Sequence, residues 1–547
     1  MTADGRGSLR DLLAEVSSLP AFPTLPPDRW AEVERRTGEI LESAPWVHRH
    51  TEGLDACYRY AEALHEHGDE CGAEEVWGAL VHEAAVQERY DVAAYACARL
   101  SRCALDFQEL REGLNWGRQG RAWGRHLPPS HPVHRALALE IGLIHQRRQH
   151  WEGARRSLVR ALAMEAPDDG LTDRWQGLRG GDFAGVIRNA LASLALDQAR
   201  REAPRSAERL LREAKAWIQK NESAHLAQAV QLRSAAILAE VACHQGDAEG
   251  ARRLVDGWFG TPPPQGDPQD RSRPLFLRLT SLLALADEDL PEAQRRAGQA
   301  FQAMERHCYP LWERDMLRDL VWLFTKAHEQ RYSGHREHTV LRTLDDGGPW
   351  ILDLVDLLEA RDGYLSGHHA RFVRAACLAM CAEPEDRARA GLPEDLDLPY
   401  LLGAASLHDL GKLEVSWALL NRVRPRKRVH ERRYQAHVLS GARLLEGLGF
   451  PMAARLVEEH HERADGLGYP YGTRYQTTAG SLLALAEHLV GGSQPSHGRP
   501  RPVPVLENAR WCLSEGARRF QPQALAALHR AVEDDGLASL QRLINAG

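Results

Sequence analysis

The C-terminal half of the sequence contains histidines and acids whose order along the chain suits a metal centre. They occur in SGHHARFV, LHDLGK, QAHVLSGARLL and HHERADGLGYP, each in or at the end of a predicted helix. The candidate ligands are His369, His408, Asp409, His437, His460 and His461. Neutral imidazoles together with carboxylates suit first-row divalent cations, and a carboxylate beside a ligand histidine can bridge two ions. The pattern therefore indicates a two-metal site that hydrolyses phosphate esters, with Asp409 shared by two metals about 4 Å apart.

Each segment also has an ordinary structural interpretation. A single histidine such as His437 on an amphipathic helix is more often a buried or surface residue than a ligand. LHDLGK could be a helix end, with Gly411 as its C-cap and Lys412 complementing the helix dipole. HHER could lie on the solvent-exposed face of a helix. These interpretations need a separate coincidence for each segment, whereas one metal centre accounts for all of them within about 100 residues.

Two of these segments resemble the signatures of the HD-GYP family, a branch of the HD superfamily of metal-dependent phosphohydrolases. The family signatures HDxGK and HHExxDGxGYP correspond to HDLGK and HHERADGLGYP, with every fixed letter present. SGHHARFV is similar to the family's T-G-x-H-x-x-R-V, which selects His369 rather than His368. The resemblance covers about 345 to 535, including RRFQPQAL near its end. It implies an α-helical phosphohydrolase domain.

The resemblance also implies a ligand set and a substrate loop. One metal would be bound by His369, His408, Asp409 and a downstream acid, and the second by Asp409, His437, His460 and His461. The ions would be two divalent metals, with Fe or Mn ahead of Zn, Ni or Mg. Lys412 would contact the substrate phosphate, beside a loop containing Gly466, Gly468, Tyr469 and Pro470. Family members hydrolyse cyclic di-GMP, so the implied reaction is its hydrolysis to linear pGpG or GMP by a metal-activated hydroxide.

Departures from the family pattern leave other functions open. The downstream acid is an aspartate in the family, whereas LLALAEHLVGG places Glu487 there. The additional methylene moves the carboxylate oxygens by roughly 1 Å or more, and metal sites tolerate such shifts poorly. Of the later basic residues that hold phosphate in the family, Arg499 is the one candidate. A weakly active or inactive domain that binds a cyclic dinucleotide or metal for signalling is therefore an alternative, as is an enzyme for another cyclic dinucleotide such as cyclic GMP-AMP.

The N-terminal half is predicted to consist of helical repeats. Apolar residues recur there at spacings of three and four, and the clearest helix pair is ALALEIGLIHQRRQHWEGARRSLVRAL, with Gly142 at a close helix crossing. The pattern is similar to tetratricopeptide repeats, although successive copies lie more than 40 residues apart instead of roughly 34, and an irregular helical solenoid is the alternative. We expect an all-α chain with a helical segment at 1–50, a TPR-like domain at 51–335 and an HD-GYP domain at 345–547.

Composition and charge narrow the possible partners. The net charge of −7 over 547 residues argues against binding to duplex nucleic acid. No apolar run approaches the roughly 18 residues that a membrane helix needs, and the cysteines show no CxxC pairs, so we expect a cytoplasmic protein. The expected partners are a cyclic dinucleotide substrate and a protein or peptide bound by the repeats. A homodimer is also consistent with the sequence.

Overall fold

The described part of the chain is entirely helical in its regular structure. The computed structural model describes Ala14, Val16, Ser18 and residues 27–42, 51–164, 180–222, 228–259, 272–305, 310–332, 337–342, 352–362, 368–381, 383–422, 427–494 and 501–546. No strand occurs within these ranges, which confirms the all-α prediction. The chain divides into two compact units, Met1–Met316 and Leu317–Gly547. This division lies before the domain boundary that the sequence predicts near 335–350. The domain limits 51–335 and 345–547 remain our proposal.

The first unit is a succession of helices joined by short turns. Its helices are α1 (Pro27–Glu42), α2 (Thr51–His67), α3 (Glu70–Val86), α4 (Tyr90–Asp106), α5 (Leu110–Gly124), α6 (Val133–Arg147), α7 (Trp151–Ala163), α8 (Gly180–Ala199), α9 (Pro204–Glu222), α10 (Gln228–His244), α11 (Ala248–Phe259), α12 (Ser272–Ala286) and α13 (Leu290–Glu305). From α2 onwards consecutive helices pack together, and α1 with α3, α4 with α6, α8 with α10 and α10 with α12 also meet. This neighbour-to-neighbour packing is that of a repeat array.

The helix pair containing Gly142 shows why small residues recur in the repeats. A Cβ on Gly142 would lie 2.8 Å from the side chain of Leu158, so only glycine permits this approach of α6 and α7. Ala154, Leu158 and Ala161 on the facing helix are fully buried, as the sequence predicted. The predicted inward positions Ala251 and Ala293 of later copies are fully buried as well.

Six turns between consecutive helices share one geometry. A single residue takes a positive φ, as in Gly68 and Gly246 and at the non-glycine positions Glu88, Gln108, Gln149 and Glu288. The next N–H then donates to the carbonyl five residues earlier, for example from Asp69 to Leu64 at 2.8 Å. This bond closes the helix C-terminus in the Schellman manner. The Asp69 carboxylate in turn caps α3 by accepting from the Gly72 N–H at 2.7 Å.

The second unit contains a longer helix followed by shorter ones. The helices are α14 (Pro310–Tyr332, which includes the division between the units), α15 (Glu337–Arg342), α16 (Leu352–Arg361), α17 (His369–Cys381), α18 (Pro384–Arg389), α19 (Leu398–Leu407), α20 (Trp417–Leu420), α21 (Arg428–Gln435), α22 (His437–Gly447), α23 (Pro451–Glu459), α24 (Thr478–Gly492), α25 (Val505–Leu513), α26 (Pro522–Glu533) and α27 (Leu537–Ala546). Two 3₁₀ helices, Leu410–Glu414 and Ala517–Arg519, join them. Within the described ranges no helix has the length and apolar character needed to cross a membrane.

Five helices of the second unit pack around one point. Helix α17 contacts α19 and α24, α23 contacts α19, α22 and α24, and α22 lies against the 3₁₀ helix Leu410–Glu414. Helix α19 starts at Asp397, whose carboxylate accepts from the Tyr400 N–H at 3.3 Å, and α24 starts at Thr477, whose hydroxyl accepts from the Gly480 N–H at 3.0 Å. These caps fix the first turns of two helices that carry functional side chains near their ends.

Candidate metal centre

The predicted histidine ligands, which lie far apart in the sequence, converge in the second unit. Two groups form, and within each group the ligand atoms lie within 4.8 Å of one another. The first ligand group consists of His369, His408 and Glu487, and the second ligand group consists of His437, His460 and His461. Glu487, the residue that departs from the family pattern, therefore lies beside the histidines that the sequence assigned to the same metal.

Asp409 lies between the two groups. Its Oδ2 atom is 3.8 Å from His369 Nε2 and 3.5 Å from His408 Nε2, whereas its Oδ1 atom is 3.6 Å from His437 Nε2. One carboxylate oxygen thus faces each group. This is the placement that a bridging ligand would need, and the bridging role of Asp409 remains a prediction.

Four of the histidines are oriented by hydrogen bonds from Nδ1. The Nδ1–H groups of His408, His437 and His460 donate to the carbonyls three residues earlier, at 2.9, 2.7 and 2.6 Å. His369 Nδ1 donates to Oε1 of Gln494 at 2.6 Å. A proton held on Nδ1 leaves Nε2, the atom that faces Asp409 in His369, His408 and His437, as the nitrogen that can bind a metal ion once it carries no proton.

Several buried polar atoms at the centre have no hydrogen-bond partner among the residues that the structure describes. These atoms are Asp409 Oδ1, His437 Nε2 and His460 Nε2. Buried polar atoms are normally satisfied, so three such atoms in one place require a specific reason. Imidazole nitrogens and a shared carboxylate oxygen are donors that a divalent transition-metal ion accepts. The residues present therefore fit a pair of divalent ions, one at each group.

The two groups differ in their electrostatics. Burial lowers the pKa of His437 to about 4 and that of His460 to about 3, so the second group is neutral at physiological pH. Burial also opposes charge on His369, but the nearby Glu487 and Asp409 carboxylates outweigh it and raise the pKa of His369 to about 9. Glu487 Oε2 is 2.8 Å from His369 Nε2 and 3.1 Å from His408 Nε2. The first ligand group thus includes a carboxylate, whereas the second ligand group consists of neutral imidazoles.

Lys412 is buried and paired with the bridging carboxylate. Its Nζ donates to Asp409 Oδ2 at 2.6 Å and lies 5.8 Å from the centre of the Tyr434 ring. Burial alone would lower the pKa of Lys412, but Asp409 outweighs it and raises this pKa well above its usual value. A permanent positive charge therefore lies at the centre, next to the atoms that would bind metal. The predicted contact of Lys412 with a phosphate remains a prediction.

The glycines of both signatures permit close backbone approaches. A Cβ on Gly411 would lie 1.9 Å from the His437 carbonyl oxygen and 2.3 Å from the Gly441 nitrogen. The Gly411 backbone therefore lies against the start of α22 and holds Asp409 near His437. A Cβ on Gly468 would lie 2.5 Å from the His461 carbonyl oxygen, so the loop folds back on the second group.

The rest of the predicted substrate loop lies beside the second group. The Tyr469 ring stacks on the His461 ring with centroids 4.6 Å apart, and its N–H donates to the His461 carbonyl at 3.1 Å. Gly466 has a φ of +77°, which favours glycine, and Pro470 follows Tyr469 directly. The loop is thus attached to a ligand histidine. Arg499 lies outside the described residues.

Four contributors to the centre were not identified from the sequence. Glu462, the fixed acid of the HHE signature, accepts from the N–H groups of Tyr471 at 2.6 Å and Thr473 at 3.0 Å and so anchors the loop. Arg361 of α16 donates to the Leu413 carbonyl at 2.7 Å and supports the HDLGK segment. The other two are Gln494, which accepts a hydrogen bond from His369, and Gly411, whose close packing against α22 was not predicted. Only Glu462 and Gly411 had a sequence signal, since both are fixed letters of the signatures.

Comparison with known families identifies the class of domain at this centre. Residues 368–491 match the family model described as HD domain, and this part of the chain is an HD domain. The match runs from the residue before His369 to four residues beyond Glu487, and so includes both ligand groups. The predicted resemblance to the HD superfamily is confirmed in this range.

A relative with a known activity extends the similarity beyond the HD domain. The chain is 28% identical over 342 residues to the 3'3'-cGAMP-specific phosphodiesterase 3 of Vibrio cholerae serotype O1, an alignment covering 57% of this chain and 66% of that protein. The matched region is thus just under two thirds of the relative's length.

Two solved structures show low similarity to the chain. The APC/C hetero-tetramer Cut9–Hcn1 gives a TM-score of 0.21 at 9% identity, with 96% of each chain covered. A circular tandem repeat protein gives a TM-score of 0.14 at 14% identity, with 98% of this chain and 99% of that chain covered. At TM-scores this low, neither structure supports a fold assignment for this chain. The repeat arrangement of the first unit is therefore inferred from its own helix packing.

Proposed function

We propose that the chain is a metal-dependent phosphodiesterase of the HD-GYP type that hydrolyses a cyclic dinucleotide. The observation that carries this proposal is the pair of ligand groups on either side of Asp409, with one carboxylate oxygen facing each group. A single-metal or purely structural role does not need a second group with unpartnered ligand atoms. Two adjacent divalent ions supply an activated water and charge neutralisation for a phosphoryl group.

The residues of the chain have distinct roles in this proposal. Asp409 would connect the two ions, and the Nδ1 hydrogen bonds would keep the histidine lone pairs directed at them. Lys412 would place its charge beside the phosphate oxygens, where negative charge grows in the transition state. The loop from Gly466 to Pro470 would form the wall beside the second group. Tyr469, stacked on His461, is its most rigid described part.

Two resemblances support the proposed substrate class. The HD-GYP signatures point to cyclic di-GMP, whereas the similar Vibrio protein is named for 3'3'-cGAMP. Both compounds are cyclic dinucleotides that carry two phosphodiester bonds. We propose this class as the substrate and cyclic di-GMP as the first compound to test, with 3'3'-cGAMP as the direct competitor.

One experiment tests the activity and separates it from the alternative. The full chain is loaded with Mn²⁺ or Fe²⁺, its metal content is measured, and it is incubated with each cyclic dinucleotide while linear dinucleotide and mononucleotide products are followed. We expect two metals per chain and linear product from at least one substrate. Metal-replete protein that cleaves neither compound would overturn the enzyme proposal. Binding without cleavage would support the signalling alternative. A protein partner of the repeats and a homodimer remain predictions.

A further inference from the structure

His369 is held from both sides by one segment of the chain. Glu487 on α24 approaches Nε2 at 2.8 Å, and Gln494, two residues past the end of α24, accepts from Nδ1 at 2.6 Å. The Gln494 contact is buried, with Gln494 only 3% exposed, and the Glu487 contact is partly buried. The segment 487–494 therefore contacts both nitrogens of this imidazole.

The other oriented histidines do not depend on a side chain in this way. His408, His437 and His460 each use a carbonyl three residues earlier, supplied by the preceding helical turn. His369 is the first residue of α17, and its acceptor is a side chain 125 residues further along the chain. A backbone carbonyl cannot be removed by substitution, whereas the Gln494 acceptor can. The orientation of His369 is thus the most vulnerable of the four.

We propose that Gln494 is a positioning residue that keeps His369 in the tautomer able to bind a metal ion. Without an acceptor at Nδ1, the proton would be more stable on Nε2, where Glu487 is within hydrogen-bond distance. With the proton on Nε2, the lone pair would lie on Nδ1, and Nε2 could not bind a metal ion. By accepting from Nδ1–H, Gln494 therefore favours the tautomer whose lone pair lies on Nε2.

The inference rests on the metal centre of the proposed function but not on its substrate. Loss of an outer hydrogen-bond partner of a ligand histidine typically reduces metal affinity about 10- to 100-fold. We expect Gln494→Met, which is similar in size but lacks a good acceptor, to weaken one of the two Mn²⁺ binding steps by that factor. Gln494→Glu keeps an acceptor at the same distance and should retain both steps.

The test is a Mn²⁺ titration of the full chain, followed by calorimetry or by the signal of free Mn²⁺. The matched control is Gln541→Met, because Gln541 also accepts a hydrogen bond, from the Val505 N–H at 2.7 Å, but contacts none of the ligand histidines in the described structure. Circular dichroism checks that each variant is folded.

The expected result is one weakened step in Gln494→Met and two wild-type steps in Gln494→Glu and Gln541→Met. The proposal is overturned if Gln494→Met binds both ions as tightly as the wild type. It is also overturned if Gln541→Met loses as much affinity, or if Gln494→Glu fails to restore it. Failure of the wild type to cleave cyclic dinucleotides would refute the proposed activity and leave this result untouched, since the titration uses the metal alone.

Discussion

The two units of the chain place different partners beside the buried charged and polar groups described below. In the helical repeats, each of three buried carboxylates faces an arginine. The pairs are Glu62 with Arg99, Glu140 with Arg102, and Glu240 with both Arg278 and Arg200. In the HD domain, Asp409 Oδ1 and the Nε2 atoms of His437 and His460 are buried without a hydrogen-bond partner among the described residues. The three carboxylates of the repeats thus face a cationic side chain, whereas these three candidate ligand atoms are available to an ion.

The difference separates a structural role from a chemical one. A buried ion pair offsets part of its desolvation cost through the attraction of its two charges, although it contributes little net stability compared with an apolar replacement. Donor atoms buried without partners cost free energy unless something binds them. The three carboxylates of the repeats therefore have a charged partner within the chain, whereas the HD centre would be stabilised by the ions that it binds. Substitutions should separate these two kinds of burial.

Removal of the bridging carboxylate should have the largest effect. Asp409→Ala removes the ligand between both groups and leaves Lys412 buried without its partner, so we expect loss of both metals and of detectable cyclic dinucleotide hydrolysis. Breaking a buried pair in this way also destabilises a protein by about 3–5 kcal/mol. Metal content and turnover measure the first effect, and thermal unfolding measures the second.

Asp409→Asn controls for misfolding of the alanine variant. The amide keeps the shape of the side chain and an oxygen that Lys412 can contact, but it lacks the charge that would bridge two ions. The variant should fold and still lose most of its metal affinity. Retention of two tightly bound metals in Asp409→Asn would show that Asp409 does not bridge.

A matched substitution in the repeats should affect stability alone. Glu240→Gln leaves Arg278 and Arg200 facing a neutral group in a buried position, and we expect a loss of about 3–5 kcal/mol in the free energy of unfolding. Metal content per folded chain should not change. Glu249→Gln is the control, because Glu249 and Arg253 form an exposed pair one helical turn apart and should cost less than about 1 kcal/mol. Equal losses in the two variants would refute the contrast between buried and exposed pairs.

The pKa of Glu240 leads to a prediction about how stability depends on pH. Burial alone would raise the pKa of Glu240, but the charges of Arg278 and Arg200 outweigh it and lower this pKa from 4.5 to about 2. Because the folded protein binds this proton less readily than the unfolded chain, the contribution of about 3 kcal/mol is complete above pH 4.5 and disappears as the pH falls towards 2. Between pH 5 and 3, the wild type should therefore lose more thermal stability than Glu240→Gln. Parallel pH curves for the two proteins would contradict this.

The sequence predicted much of the fold because the repeats rely on local patterns. Helical spacing of apolar residues and the small residues at helix crossings, such as Gly142 and Ala154, are visible in any single repeat. The turns were harder to predict, since Glu88 and Gln149 take positive φ values that glycine usually supplies. Their conformation is imposed by the packing of the two helices that they join, and no local residue preference reveals it.

At the metal centre, the ligands were predictable and most of their supports were not. His460 and His461 lie in a dense signature, and their chemistry limits what they can do. Gln494 lies in GGSQPSHG, which is typical of a loop, and its contact with His369 depends on how α24 ends. Arg361 likewise donates a hydrogen bond to the carbonyl of Leu413, which lies 52 residues further along the chain. Contacts between side chains more than 50 residues apart leave no spacing pattern in one sequence.

The smallest predicted effect concerns the residue that departs from the family pattern. The Glu487 oxygen reaches both His369 Nε2 at 2.8 Å and His408 Nε2 at 3.1 Å, so the centre is fitted to the longer acid. Glu487→Asp withdraws the carboxylate by about one methylene, roughly 1.5 Å, which exceeds the tolerance of a preorganised site. We expect metal affinity at the first group to fall about 10-fold, with proportionate loss of turnover.

Two further variants decide how this result is interpreted. Glu459→Asp shortens a glutamate whose carboxylate caps α24 by accepting from the Thr477 N–H at 2.8 Å, so it should lower stability by about 1 kcal/mol without changing metal affinity. Glu487→Gln keeps the length but removes the charge, and it should weaken binding more than Glu487→Asp because the anionic ligand is lost. If Glu487→Asp instead binds metal more tightly than the wild type, Glu487 is a partly defective replacement for an aspartate. The inference that this centre is fitted to a glutamate would then be wrong.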